Sequence, residues 1–125
     1  MRAYGYVRKC GLGGCDGGPM TLAYPLNYPS GIAVDTSSVY WTNFQGDSIG
    51  KVALDGTNAT TLFTLPTNSN PQGIVVDTTI VYWTNFVGTA IPNNLGSVMK
   101  CATTGCGGSP TELAHAQVEP EGARR

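Results

Sequence analysis

Four cysteines, one histidine and two matching aspartates are the side chains here whose type and spacing are suited to chemistry. The cysteines form two C-x4-C pairs, Cys10/Cys15 and Cys101/Cys106. Four thiols suit two disulfides, one structural zinc site, or no bond at all in a reducing compartment. His115 is the only histidine and lies in "LAHAQVEPEG". A hydrolase built on it needs a nucleophile and an orienting acid beside it, and the sequence identifies neither. It is expected to be a solvated loop residue. Asp35 and Asp77 stand at equivalent places in "IAVDTSS" and "IVVDTTI". A carboxylate written twice suits a turn or a hydrogen-bonding device better than a unique active site or a calcium ligand. "CGLGGCDGG" and "TTGCGGS" read as hairpin turns, not phosphate loops. No catalytic residue, metal ligand or cofactor is expected.

The surrounding composition narrows the function classes. Seven Lys/Arg stand against eight Asp/Glu, a formal charge of −1, and the basic residues form no stripe. Nucleic acid and anionic membrane are therefore poor partners. No run approaches a transmembrane span, and residues 1–6 lack the apolar core of a signal peptide. Gly, Thr, Ser, Asn and Pro abound, while Val, Tyr, Trp and Phe cluster in short runs, the profile of short strands joined by tight turns.

The elements that would position these side chains are written twice. "PSGIAVDTSSVYWTNF" (29–44) aligns with "PQGIVVDTTIVYWTNF" (71–86) at an offset of 42. "SIGKVALDGT" (48–57) then aligns with "SVMKCATTGC" (97–106) at an offset of 49, because "TAIPNNL" (89–95) is inserted between. "VRKCGLGGC" (7–15) matches "VMKCATTGC" (98–106), "MTLA" (20–23) matches "TELA" (111–114), and "EPEGA" (119–123) restarts the Pro-x-Gly element. Each unit reads as four strands: A at 31–35 or 73–77, B at 39–44 or 81–86, C at 48–54 or 97–101, and D at 60–65 or 111–114. Strand B is apolar on both faces, as a sheet sandwiched between neighbours requires. Trp41 and Trp83 are accordingly core or inter-blade residues. Four-strand units of this length, unable to bury both faces alone, predict an all-β, partial β-propeller. A sandwich is the competing architecture, but it does not demand a regular repeat.

These residues also resemble a known family. "IAVDTSSVYWTNFQGDSIGKVALDG" is similar to the YWTD repeat of low-density-lipoprotein receptors (class B) and to secreted bacterial propeller proteins of similar repeat, over roughly residues 29–114. Asn43 and Asn85 replace the motif's Asp, so any bridging role implied for that Asp falls to a neutral amide. No cysteine-rich module lies between the blades, so receptor function does not carry over.

On this frame each cysteine pair brackets the turn between strands C and D, where flanking residues face one another within disulfide reach. The middle blade has Val52 and Thr57 there, both cysteines replaced together. Disulfides Cys10–Cys15 and Cys101–Cys106 are the expected reading, with free thiols the alternative; zinc fails because the pairs lie two blades apart. Asn58-Ala59-Thr60 is a glycosylation sequon in a surface turn. B–C and D–A loops leave a propeller on one common face, so the insertion at 89–95 joins 25–30, 66–72 and 114–120 there. Tyr24, Tyr28, Phe86, Ile91 and His115 form the candidate binding face. A neutral insertion explains residues 89–95 equally well.

The sequence thus predicts a single incomplete propeller domain: a half-blade hairpin (4–23), two complete four-stranded antiparallel blades (29–65 and 71–114), and the start of a further blade (119–125). The expected function is a non-catalytic binding or scaffold module, part of a longer secreted protein in an extracellular, periplasmic or cell-envelope setting. Its ligand would be a protein or a carbohydrate on the loop face, with self-association through open blade faces. The alternative is part of a propeller enzyme, of lyase or lactonase type, with its active site at the channel mouth.

Overall fold

A computed structural model describes residues 5–15, 17–67, 69–86, 96–106 and 109–115. These form only β-structure, in three antiparallel sheets. A hairpin pairs β1 (Gly5–Lys9) with β2 (Met20–Leu26). The first blade follows in the order β3 (Pro29–Val34), β4 (Ser38–Asn43), β5 (Ser48–Ala53), β6 (Thr60–Thr64). The second repeats it with β7 (Pro71–Val76), β8 (Ile80–Phe86), β9 (Gly96–Ala102) and β10 (Thr111–His115). The fold is a partial β-propeller: two complete blades and a half-blade hairpin.

The first strand of each blade begins two residues before the predicted start, at Pro29 and Pro71. The cause is a bulge. Pairing shifts between Pro29↔Asn43 and Ile32↔Trp41, and identically between Pro71↔Asn85 and Ile74↔Trp83. A bulge leaves a backbone group outside the ladder. Here the Gly31 N–H donates to Thr42 Oγ1 at 2.9 Å and the Gly73 N–H to Thr84 Oγ1 at 3.1 Å. The repeat in sequence is therefore a repeat in register.

Alternation along the second strand of the first blade explains its lack of a polar face, since successive side chains point to opposite sides of a sheet. Val39, Trp41 and Val52 pack against Val7, Leu22 and Ala23 of the hairpin. Tyr40 and Ile49 turn the other way, onto Val81, Trp83 and Cys101 of the second blade. Trp41 and Trp83 are only 3% and 1% exposed. Ile32 and Val34 share the hairpin-facing side yet stay 59% exposed, because β1 and β2 cover the outer part of that face. Their counterparts Ile74 and Val76 are packed against the first blade.

Candidate functional site

The A–B turns come first, because they hold the paired aspartates. Asp35 Oδ1 accepts from the N–H groups of Ser37 (2.9 Å) and Ser38 (2.8 Å), and Asp77 Oδ1 from those of Thr79 (2.9 Å) and Ile80 (2.8 Å). Both are Asx turns, in which the side chain supplies the acceptor that the backbone lacks. Partial burial pushes the Asp35 pKa up, but bonds from Ser37, Ser38 and the Tyr40 hydroxyl outweigh it and hold the carboxyl below its ordinary 3.8. Backbone bonds from Thr79 and Ile80 lower Asp77 likewise. The Tyr40 hydroxyl donates to Asp35 Oδ2 at 2.9 Å. Burial, then this bond to a carboxylate, raises the phenol's pKa above 10.0. These carboxylates are occupied in building turns.

The C–D turns carry the cysteines. The structure joins Cys10 to Cys15 and Cys101 to Cys106, with Cα atoms 5.0 and 4.8 Å apart. Inside each bridge the same four-residue turn closes, Gly14 N–H to Gly11 O and Gly105 N–H to Ala102 O, both at 3.0 Å. The middle turn closes equally, Gly56 N–H to Ala53 O at 2.9 Å, without a bridge. There Asp55 Oδ1 accepts from Thr57 Oγ1 (2.6 Å) and from the Thr57 N–H (3.0 Å). A hydrogen-bonded clip stands where the flanking blades have sulfur.

The opposite end carries the candidate binding face. The Phe44 N–H donates to the Tyr28 carbonyl (2.7 Å), and the Phe86 N–H to the Asn70 carbonyl (3.0 Å). Each bond ties a B–C turn to the D–A turn leading into its own blade. The Leu65 N–H bonds the Asp47 carbonyl (2.8 Å) within the first blade, and the Asn70 N–H bonds Asp47 Oδ1 (2.9 Å), linking that blade's B–C turn to the loop that leads into the next. On this braced surface Tyr28 and Phe86 are 47% and 45% exposed. Tyr28 has φ 62° and its counterpart Asn70 φ 50°. The left-handed region suits Asn and is costly for a bulky aromatic. Tyr24 is 53% exposed and stacks on Tyr6 with centroids 4.4 Å apart, at the hairpin's edge. Ile91 and the insertion 89–95 lie outside the described residues, as does 119–125. His115 ends β10, paired with Ser97, and its side chain is likewise outside what is described.

Among the described residues neither repeat asparagine bridges blades: Asn43 and Asn85 donate to Ser48 (2.9 Å) and Ser97 (3.1 Å) of their own blades. Other contacts bridge the blades. Thr42 Oγ1 donates to the Gln72 carbonyl at 2.9 Å. Lys9 Nζ reaches the Leu54 carbonyl and Lys51 Nζ the Thr103 carbonyl, each at 2.6 Å. Each of these lysines thus seizes the C–D turn of the following blade. The signal for them is in the sequence, where Lys9, Lys51 and Lys100 stand at one position of "VRKC", "IGKV" and "VMKC".

A propeller of this repeat type is also what comparison with known proteins finds. Residues 37–78 match the family described as low-density lipoprotein receptor repeat class B. No curated protein matches. One similar solved chain, from the "Crystal structure of Nidogen/Laminin Complex", is 27% identical with a TM-score of 0.70. The match covers 90% of this chain and 41% of that one, so the chain spans less than half the length of its structural relative.

Proposed function

We propose that this chain is a non-catalytic protein-binding module, part of the propeller domain of a secreted protein, which takes its partner on the B–C and D–A loop face. The observation that carries this is Tyr28. A tyrosine stands in left-handed backbone where the second blade has asparagine, and its ring is left in solvent. Strain of this kind costs about 1–3 kcal/mol and tends to be kept where a side chain is used. Phe86 adds a second exposed aromatic on the same braced surface, and aromatics on rigid scaffolds are the usual anchors of protein interfaces. The structural relative comes from a complex with another protein, which supports a protein partner. Two short-range disulfides suit an oxidising, extracellular setting.

The test is capture from an extracellular-matrix extract, quantified by mass spectrometry. Tyr28→Asn and Phe86→Ala should each reduce the specific capture at least about tenfold, the loss expected of an anchor residue. Leu12→Ser, in the exposed C–D turn at the far end, should leave it unchanged. Equal capture by all variants would overturn the loop-face reading. Tyr28→Asn should also unfold no earlier than the parent chain, since Asn70 already holds the equivalent conformation.

A further inference from the structure

Asn58 opens the only Asn-x-Ser/Thr triplet in the chain, Asn58-Ala59-Thr60. All three residues are exposed, in the C–D turn between the end of β5 at Ala53 and the start of β6 at Thr60. Asn58 has φ 59°, left-handed backbone that asparagine tolerates better than most residues. The bond from the Ala53 N–H to the Thr57 carbonyl, at 3.0 Å, fixes the turn just before it. Among the described residues nothing bonds the Asn58 side-chain amide, which is left to solvent. The residues that follow the bridged Cys15 and Cys106 are Asp16 and Gly107, so the middle blade alone carries this acceptor.

What the acceptor is for follows from the strand it precedes. β6 is the outer strand of its blade, and among the described residues it pairs on one side only, with β5. Free N–H and C=O groups on such an edge recruit other chains, so outer strands carry charge, proline or cover. β2 includes Pro25 and β10 includes Glu112. β6 reads Thr-Thr-Leu-Phe-Thr and has neither. Each of the three pairs with its neighbour through a register shift, so bulges do not tell them apart. Uncharged, free of proline and rich in β-formers, β6 has the composition of an aggregation-prone edge. A bulky, solubilising group on Asn58, two residues before the strand, supplies the cover that its side chains lack.

We propose that Asn58 is an N-glycosylation site whose glycan guards the free edge of β6. The Asn58 amide nitrogen bonds to C1 of an oligosaccharide carried on a polyprenyl pyrophosphate. The C1–oxygen bond breaks, the pyrophosphate carrier leaves with its electron pair, and the amide proton passes to a base of the transferase. The proposal rests on the secreted setting proposed above but not on the Tyr28–Phe86 surface, which lies at the other end of the blades. The test is expression of the full chain behind a secretory signal in a eukaryotic cell, which supplies transferase and donor. Intact mass should show one glycan, removed by peptide N-glycosidase. Asn58→Gln and Thr60→Val should each lose it, and Thr60→Ser should keep it. Should glutamine strain the turn at φ 59°, Thr60→Val carries the same test. By light scattering the glycan-free chain should associate at a lower concentration than the glycosylated one. Thr64→Lys, a charge at an exposed position of the same strand, should reverse that shift. Both readouts need no binding partner, so failure of the loop-face reading leaves them unaltered. A product without glycan, a glycan that survives Thr60→Val, or equal association of the two forms would overturn the proposal.

Discussion

The hydroxyl of Thr42 lies 2.9 Å from the carbonyl oxygen of Gln72 and donates to it, while accepting from the Gly31 N–H at 2.9 Å. One fully buried side chain therefore repairs the bulge of its own blade and fastens that blade to the next. Gly31 is part of the arrangement, since a Cβ there would strike the Gln72 carbonyl. Thr42→Val keeps the shape but orphans a donor and an acceptor, and should cost roughly 2–3 kcal/mol. Thr84→Val should cost far less, because Thr84 is exposed and the only described bond of its side chain is from Gly73. Denaturant unfolding of both variants checks the contrast.

Trp83 is the largest fully buried side chain and packs between the blades with Tyr40 and Ile49. Trp83→Ala should lower stability by about 3–5 kcal/mol, the usual cost of such a cavity. A thermal midpoint unchanged from the parent would contradict its place in the core.

The Asp35–Tyr40 pair sets a pH window. Asp35 is depressed below 3.8, so its contribution is full above that value and fades as pH falls toward the lower folded pKa. Tyr40 is raised above 10.0, so its contribution is full below that value and is lost as pH rises through the higher folded pKa. The melting temperature should be level between these limits and fall outside them. Tyr40→Phe should remove the part of the alkaline fall that Tyr40 causes and move the acid fall to higher pH, because Asp35 loses a donor. Melting curves across the range decide it.

Unreduced peptide mapping should recover Cys10 linked to Cys15 and Cys101 to Cys106. Reduction should cost roughly 2 kcal/mol per loop, these being short loops. The Asp55–Thr57 clip should be untouched by reductant, so Asp55→Ala should destabilise the middle turn equally in either redox state. Cross-linking of Cys10 to Cys101 would be incompatible with the hairpins.

The blade pattern was legible in the chain because each blade repeats one local problem. A strand apolar on both faces, an Asx turn at Asp35 or Asp77, and a glycine near each C–D turn are short-range requirements, so they recur at fixed spacing. Even the shared register of Ile32 with Trp41 and Ile74 with Trp83 follows from that spacing. What the fold alone decided are relations between residues far apart in sequence. "VYWTNF" is identical in both blades, yet Thr42 is sealed against Gln72 while Thr84 stands exposed. Trp83 bonds its asparagine while Trp41 does not. Lys9 and Lys51 could be seen to recur, but not that each reaches the next blade's turn. A strand's own letters set which face a side chain takes; what meets it there belongs to another blade. Trp41 lies over Gly50 and packs against Val7, Leu22 and Ala23 of the hairpin, whereas Trp83 stands opposite Met99.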